Sequence, residues 1–158
     1  MTTTMFYVDA LSPNRLDEIR RAGLDDAGNV LPPEREAEGG EPLRCCLRLA
    51  QRRERVLLIA YRPFDHAGPY AETGPLFIHG DRCAGYGEPT EYPEAFRNRP
   101  QVFRAYDTEG LIAGGVLAGA PDPPERIINE IFEDESVERI HTRNVVFGCY
   151  MLQIRRVS

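Results

Sequence analysis

Three histidines and four cysteines are the residues of this chain best able to do chemistry, and they fall in three segments worth weighing. His79 ends the apolar run Leu76-Phe77-Ile78, and Asp81, Arg82 and Cys83 follow it. An imidazole at a strand end can act as a base or bind a metal. The second segment is His141-Thr142-Arg143-Asn144, followed by Gly148-Cys149-Tyr150. His141 and Arg143 are two apart, so on a strand they share a face. A cation beside Cys149 would favour its thiolate. In this reading His79 or His141 transfers protons, and Cys149 is the nucleophile or redox thiol. The third segment, Arg62 to Glu72, is turn-rich and carries Asp65, His66 and Tyr70. It suits a lid or binding loop. Arg62 and Arg143 can each grip an anion bidentately, with Tyr70 and Asn144 as further binding residues. Each segment also has a plainer reading: a strand-end histidine bonded to backbone, a buried inert thiol, and a solvated connection.

A metal is the other chemistry to consider. His79, Cys83, His141 and Cys149 are possible zinc ligands, but zinc sites bring their ligands in close pairs. Three residues separate His79 from Cys83, while seven separate His141 from Cys149. Cys45 and Cys46 are adjacent, and as neighbours on a strand they would point to opposite faces. No Cys-x-x-Cys pair exists, so neither a metal nor a cofactor is assigned. The thiols are expected to be reduced, with no disulfide framework.

Several chemistries are excluded outright. The 19 basic residues are all arginine, which removes a lysine Schiff base, a pyridoxal phosphate anchor and a P-loop. Dinucleotide-binding, nucleophile-elbow and His-Glu-x-x-His motifs are missing. The formal charge of −6 argues against a nucleic-acid partner. Six acids and a single arginine lie in 25–42, so the remainder is nearly neutral. No run is long enough for a membrane helix. The start of the chain lacks the basic and apolar regions of a signal peptide, so a cytoplasmic protein is expected.

The elements that must position these residues can be read in order. A short strand over 5–9 leads to a helix with Ser12 as N-cap, Pro13 at its first position and Gly23 as its stop. The segment 25–42 reads as an acidic surface loop. Strands follow at Cys45–Leu49, at Val56–Tyr61 (apolar throughout, hence buried on both faces) and at Leu76–His79. A hairpin over 102–117 turns at Asp107-Thr108-Glu109-Gly110. Asp122 as N-cap, two early prolines and Glu125 as capping-box acid open a second helix, whose apolar face is Ile127, Ile128, Ile131 and Phe132. Two strands, 137–145 and 149–157, close the chain. The fold class this predicts is α+β: a mainly antiparallel, curved sheet of six to eight strands with two flanking helices, in a single domain over 1–158.

Several blocks occur together in a familiar order. They include Tyr61-Arg62-Pro63-Phe64, Gly74-Pro75-Leu76-Phe77-Ile78-His79, Cys83, and His141-Thr142-Arg143-Asn144 through Phe147-Gly148-Cys149-Tyr150. Over roughly residues 5–157 the chain resembles the mainly bacterial family known as domain of unknown function 1203. The resemblance implies a stand-alone domain and no established activity. Relatives carry a cysteine three positions before Cys46, where Leu43 stands here. That departure counts against a metal or redox pair shared with them at Cys46.

Two functions follow as expectations. The favoured one is a site for a small polar or anionic molecule, with or without catalysis. The alternative is a non-catalytic protein-interaction or regulatory module using loop 25–42 or a sheet edge, with a homo-oligomer as one outcome.

Overall fold

A computed structural model describes residues 5–157. In chain order the elements are β1 (Phe6–Asp9), α1 (Pro13–Ala22), β2 (Arg35–Glu36), β3 (Pro42–Leu43), β4 (Arg48–Leu49), β5 (Arg55–Tyr61) and β6 (Gly74–His79). Then come β7 (Gln101–Tyr106), β8 (Ile112–Ala118), α2 (Pro124–Phe132), β9 (Arg139–Asn144) and β10 (Tyr150–Arg156). The class is α+β, with pairing antiparallel except between β3 and β6. The strands form two five-stranded sheets, and the chain divides into two compact units that each hold one of them. Among the described residues no helix is long and apolar enough to cross a membrane.

One unit takes 10–67 and 71–87. Its sheet runs β2-β5-β6-β3-β4. Helix α1 begins as its sequence dictates. The Ser12 hydroxyl accepts from the Arg15 N–H, Pro13 needs no donor in the first turn, and Gly23 takes the left-handed conformation (φ 70°) that closes the last turn. Leu16 and Ile19 are its buried face. In β5, Leu58 is exposed while Val56, Leu57, Ile59 and Tyr61 are buried, so the strand is not covered evenly on both faces.

The segment 25–42 is more organised than a plain loop. The Asp25 carboxylate accepts from the N–H groups of Ala27, Asn29 and Ala60. Burial opposes its charge, but those bonds and one from the Asn29 side chain outweigh it and keep its pKa below the ordinary value. Further on, Arg35–Glu36 pairs with β5, and Ala37 is buried.

The other unit takes residues up to Asp9, 68–70 and the chain from Glu88 onward. Its sheet runs β1-β10-β9-β7-β8. Asp107 shapes the β7–β8 turn by accepting from the Glu109 and Leu111 N–H groups, with Gly110 at φ 78°. Helix α2 buries Ile127, Ile128 and Phe132. Asp122 is not its N-cap. Pro123 holds that position, while the Asp122 carboxylate accepts from the Gly119 N–H and pairs with Arg126.

Candidate metal centre

Of the strand expected over Cys45–Leu49 only Arg48–Leu49 forms, as β4, and residues 44–47 are instead a tight turn between β3 and β4. Two bonds make it. Arg44 donates its N–H to the Phe77 carbonyl of β6, and Leu47 donates back to the Leu43 carbonyl at 2.9 Å. Leu47 takes a left-handed backbone (φ 58°), uncommon for a residue of its kind. The consequence is chemical. The alternation that would send adjacent side chains to opposite faces of a strand does not apply, and both thiols approach one point.

That point lies at the end of β6. The Cys45 sulfur accepts from the His79 backbone N–H at 3.3 Å, and the His79 Nδ1 lies 3.3 Å from the Cys45 sulfur and 3.8 Å from that of Cys46. Cys83 completes the group. One donor atom from each of Cys45, Cys46, His79 and Cys83 lies within 4.8 Å of every other. Zinc bound tetrahedrally, with Zn–S of about 2.3 Å and Zn–N of about 2.0 Å, requires S···S of about 3.8 Å and S···N of about 3.5 Å. The two sulfur–Nδ1 distances, 3.3 and 3.8 Å, bracket that value, and no donor pair is more than 4.8 Å apart, so a small adjustment meets it.

Helix α1 fixes the ligand loop from below. The Arg20 guanidinium donates to the carbonyls of His79 (2.8 Å), Gly80 (3.0 Å) and Asp81 (3.2 Å), and Asp17 pairs with both Arg20 and Arg82. On the other side of the ring, Glu54 accepts two bonds from Arg48, at 2.8 and 2.7 Å, and one from the Gln51 N–H. Its Oε2 lies 3.0 Å from the His79 Nε2. The Arg48 fork, helped by the Gln51 N–H, holds the Glu54 carboxyl well below the usual carboxylate range.

The thiols differ. A hydrogen bond from Cys45, with the Arg48 charge nearby, lowers the Cys46 thiol despite partial burial. Cys45 is pushed up by donating to Cys46 and by burial, and Cys83 is raised by burial.

A protein-family model matches residues 40–156, and its description is a protein of unknown function (DUF1203). This chain belongs to that family. No curated protein and no solved structure matches it. All four donors of this DUF1203 chain lie inside the matched span, while α1, which holds the ligand loop, lies before it.

The residues singled out from sequence are placed differently from one another. His79 is in the cluster. His141 is in the other unit and 1% exposed, with its ring edge-on to Tyr106 and Tyr150 (centroids 5.0 Å each) and its Nε2 3.0 Å from the Gln153 Oε1. Burial pulls its pKa down to about 3, so it is neutral. Arg143 donates to the Gly148 carbonyl, and the Asn144 side chain accepts from the Phe147 and Gly148 N–H groups, so both shape the β9–β10 turn. Half-buried Cys149 lies 3.9 Å from the Phe147 carbonyl. The Tyr70 ring lies 6.4 Å from that of Tyr106. Arg62 is exposed on a cavity of about 400 Å³ shared with Arg15, Asp26, Phe64, Asp65 and Thr73.

On sequence spacing alone zinc is set aside, with His141 and Cys149 as the second pair; Cys45 and Cys46, expected to diverge, instead converge on His79 and Cys83. The usable signal was the His79–Cys83 spacing, which is a close ligand pair. Its partner pair was the adjacent cysteines rather than His141 and Cys149.

Proposed function

We propose that this protein is a metal-binding domain that takes one Zn²⁺ through Cys45, Cys46, His79 and Cys83. The convergence of four soft and borderline donor atoms within 4.8 Å carries the reading. Thiolates and imidazole select zinc over magnesium or calcium, which prefer oxygen. Four protein ligands leave no position for an activated water, so the centre is structural rather than hydrolytic. It joins the 44–47 turn, the end of β6 and the loop carrying Cys83 into one cross-linked body.

The test is metal analysis and thiol titration on purified protein. One equivalent of zinc is expected. With zinc bound, only Cys149 should react quickly with a thiol reagent, and chelation should release three more thiols. Co²⁺ should give tetrahedral d–d bands with sulfur charge transfer. Four equally reactive thiols in zinc-saturated protein would overturn the reading.

One observation favours a second reading, a small anionic ligand at Arg62. The cavity there is polar, and the exposed Arg62 guanidinium can offer two parallel donors. A phosphate or carboxylate probe that shifts the resonance of Thr73 in wild type, but not in R62A, would support it. An unshifted spectrum would end it.

A further inference from the structure

We propose that Glu54 is the positioning residue that makes Nδ1, and not Nε2, the metal-binding atom of His79. The inference rests on the zinc reading above. It comes from what the two groups at the far side of the ring are able to do. The Glu54 Oε2 lies 3.0 Å from Nε2, and an Arg48 nitrogen lies 3.1 Å from the same atom. A guanidinium has only donors, and an ionised carboxylate has only acceptors. A bare Nε2 could accept from Arg48 at 3.1 Å, but its lone pair would also stand 3.0 Å from the Glu54 oxygen, acceptor against acceptor. If Nε2 carries the proton, it donates to that oxygen, and Nδ1 is left with a lone pair.

Glu54 is well held for this role. Arg48 grips both of its oxygens, and the Gln51 N–H meets Oε1, so the carboxylate has little freedom to turn away. Oε2, the oxygen that meets the ring, is also the one bonded to the Arg48 Nη2. The same Arg48 Nη2 stands 2.7 Å from Oε2 and 3.1 Å from Nε2, so once Nε2 carries the proton that donor is left to the carboxylate and fixes it. On the thiol side, Nδ1 is the ring nitrogen within 3.3 and 3.8 Å of two sulfurs. The same imidazole is aimed at both ends, with the proton at the carboxylate and the lone pair at the metal position. A histidine ligand whose other nitrogen donates to a carboxylate is held in the correct tautomer and made more basic, and losing such a partner typically lowers metal affinity by about 10- to 100-fold.

The test compares wild type, E54Q and E54D by zinc competition with a chromophoric chelator. It is paired with long-range ¹H–¹⁵N spectra of the His79 ring in ¹¹³Cd-loaded wild type. The expected results are a 10- to 100-fold weaker affinity in E54Q and partial recovery in E54D, which keeps a carboxylate. The Co²⁺ spectrum of E54Q should still report three sulfurs and one nitrogen. Cadmium coupling should appear at Nδ1, with a proton on Nε2. Coupling at Nε2 overturns the inference whatever the variants do, so the result does not depend on E54Q folding. If wild type takes one zinc and E54Q takes it as tightly, this inference fails and the zinc reading stands. If wild type takes none, both fall.

Discussion

His79 and His141 are the same residue type on the same kind of element, yet their surroundings make them opposites. His79 has a carboxylate on one nitrogen and two thiols on the other, and keeps partial access to solvent. His141 has an amide oxygen on one nitrogen and aromatic edges around the ring, and is sealed. The first environment offers partners for a charged or metal-bound imidazole. The second penalises any charge. Chemistry is therefore assigned by what meets the ring, and a histidine in a strand-end motif says little until its partners are known.

The largest expected effect would break this contrast if it failed. H79A should lose tight zinc binding, with affinity down at least about 100-fold, while H141Q should still take one equivalent. Native mass spectrometry of both variants checks this. Equal losses would mean that the two histidines are not functionally distinct.

Next in size is the stabilisation by metal. At free zinc near 1,000 times its dissociation constant, linkage predicts about 4 kcal/mol. Chelation should lower the denaturation midpoint of wild type and of H141Q by the same amount, and that of H79A hardly at all.

The third effect belongs to His141 and is read through pH. Its pKa in the folded protein, about 3, lies below the value of about 6.5 in the unfolded chain. Protonation therefore favours unfolding. The stability tied to its neutral form is complete above about pH 6.5 and is lost as pH falls toward 3, at up to about 1.4 kcal/mol per pH unit. H141Q should flatten that slope in urea titrations of zinc-free protein between pH 4 and 6.5. An unchanged slope would remove His141 as its source.

The smallest effect is at Arg20. Replacing it with methionine removes three bonds to the carbonyls of 79–81, which should cost on the order of 1–2 kcal/mol. Hydrogen exchange should rise in the ligand loop and stay as it was around His141.

Much of the architecture was legible in local chemistry. Ser12, Pro13 and Gly23 bound α1 because capping is decided within a few residues. The β7–β8 turn declared itself at Asp107 and Gly110 for the same reason. What could not be read depended on partners far along the chain. Apolar Leu43 to Leu49 has strand-like composition, but Arg44 is bound to Phe77 and the chain reverses at Leu47. Glu54 carried no signal, because its importance lies in Arg48 on one side and His79 on the other. His79 was singled out, with the wrong companions. Cys149 and Arg143, which looked like a thiol–cation pair, flank a tight turn where backbone carbonyls accept their donors.

The single parallel pairing, Leu43 beside Phe77, has a consequence for how the chain assembles. The β5–β6 hairpin forms from near neighbours, whereas the 44–47 turn must wait for β6 to exist before it can dock. Cys45 and His79 are 34 residues apart, and an ion joining them closes a loop that size. Ring closure of that length restricts the unfolded chain as a disulfide would, by roughly 4 kcal/mol on the chain-entropy account. A bound ion would therefore act as a reversible cross-link. It would be unavailable to the early hairpin, fastened only after the last short strand arrives, and undone by a chelator without a reductant.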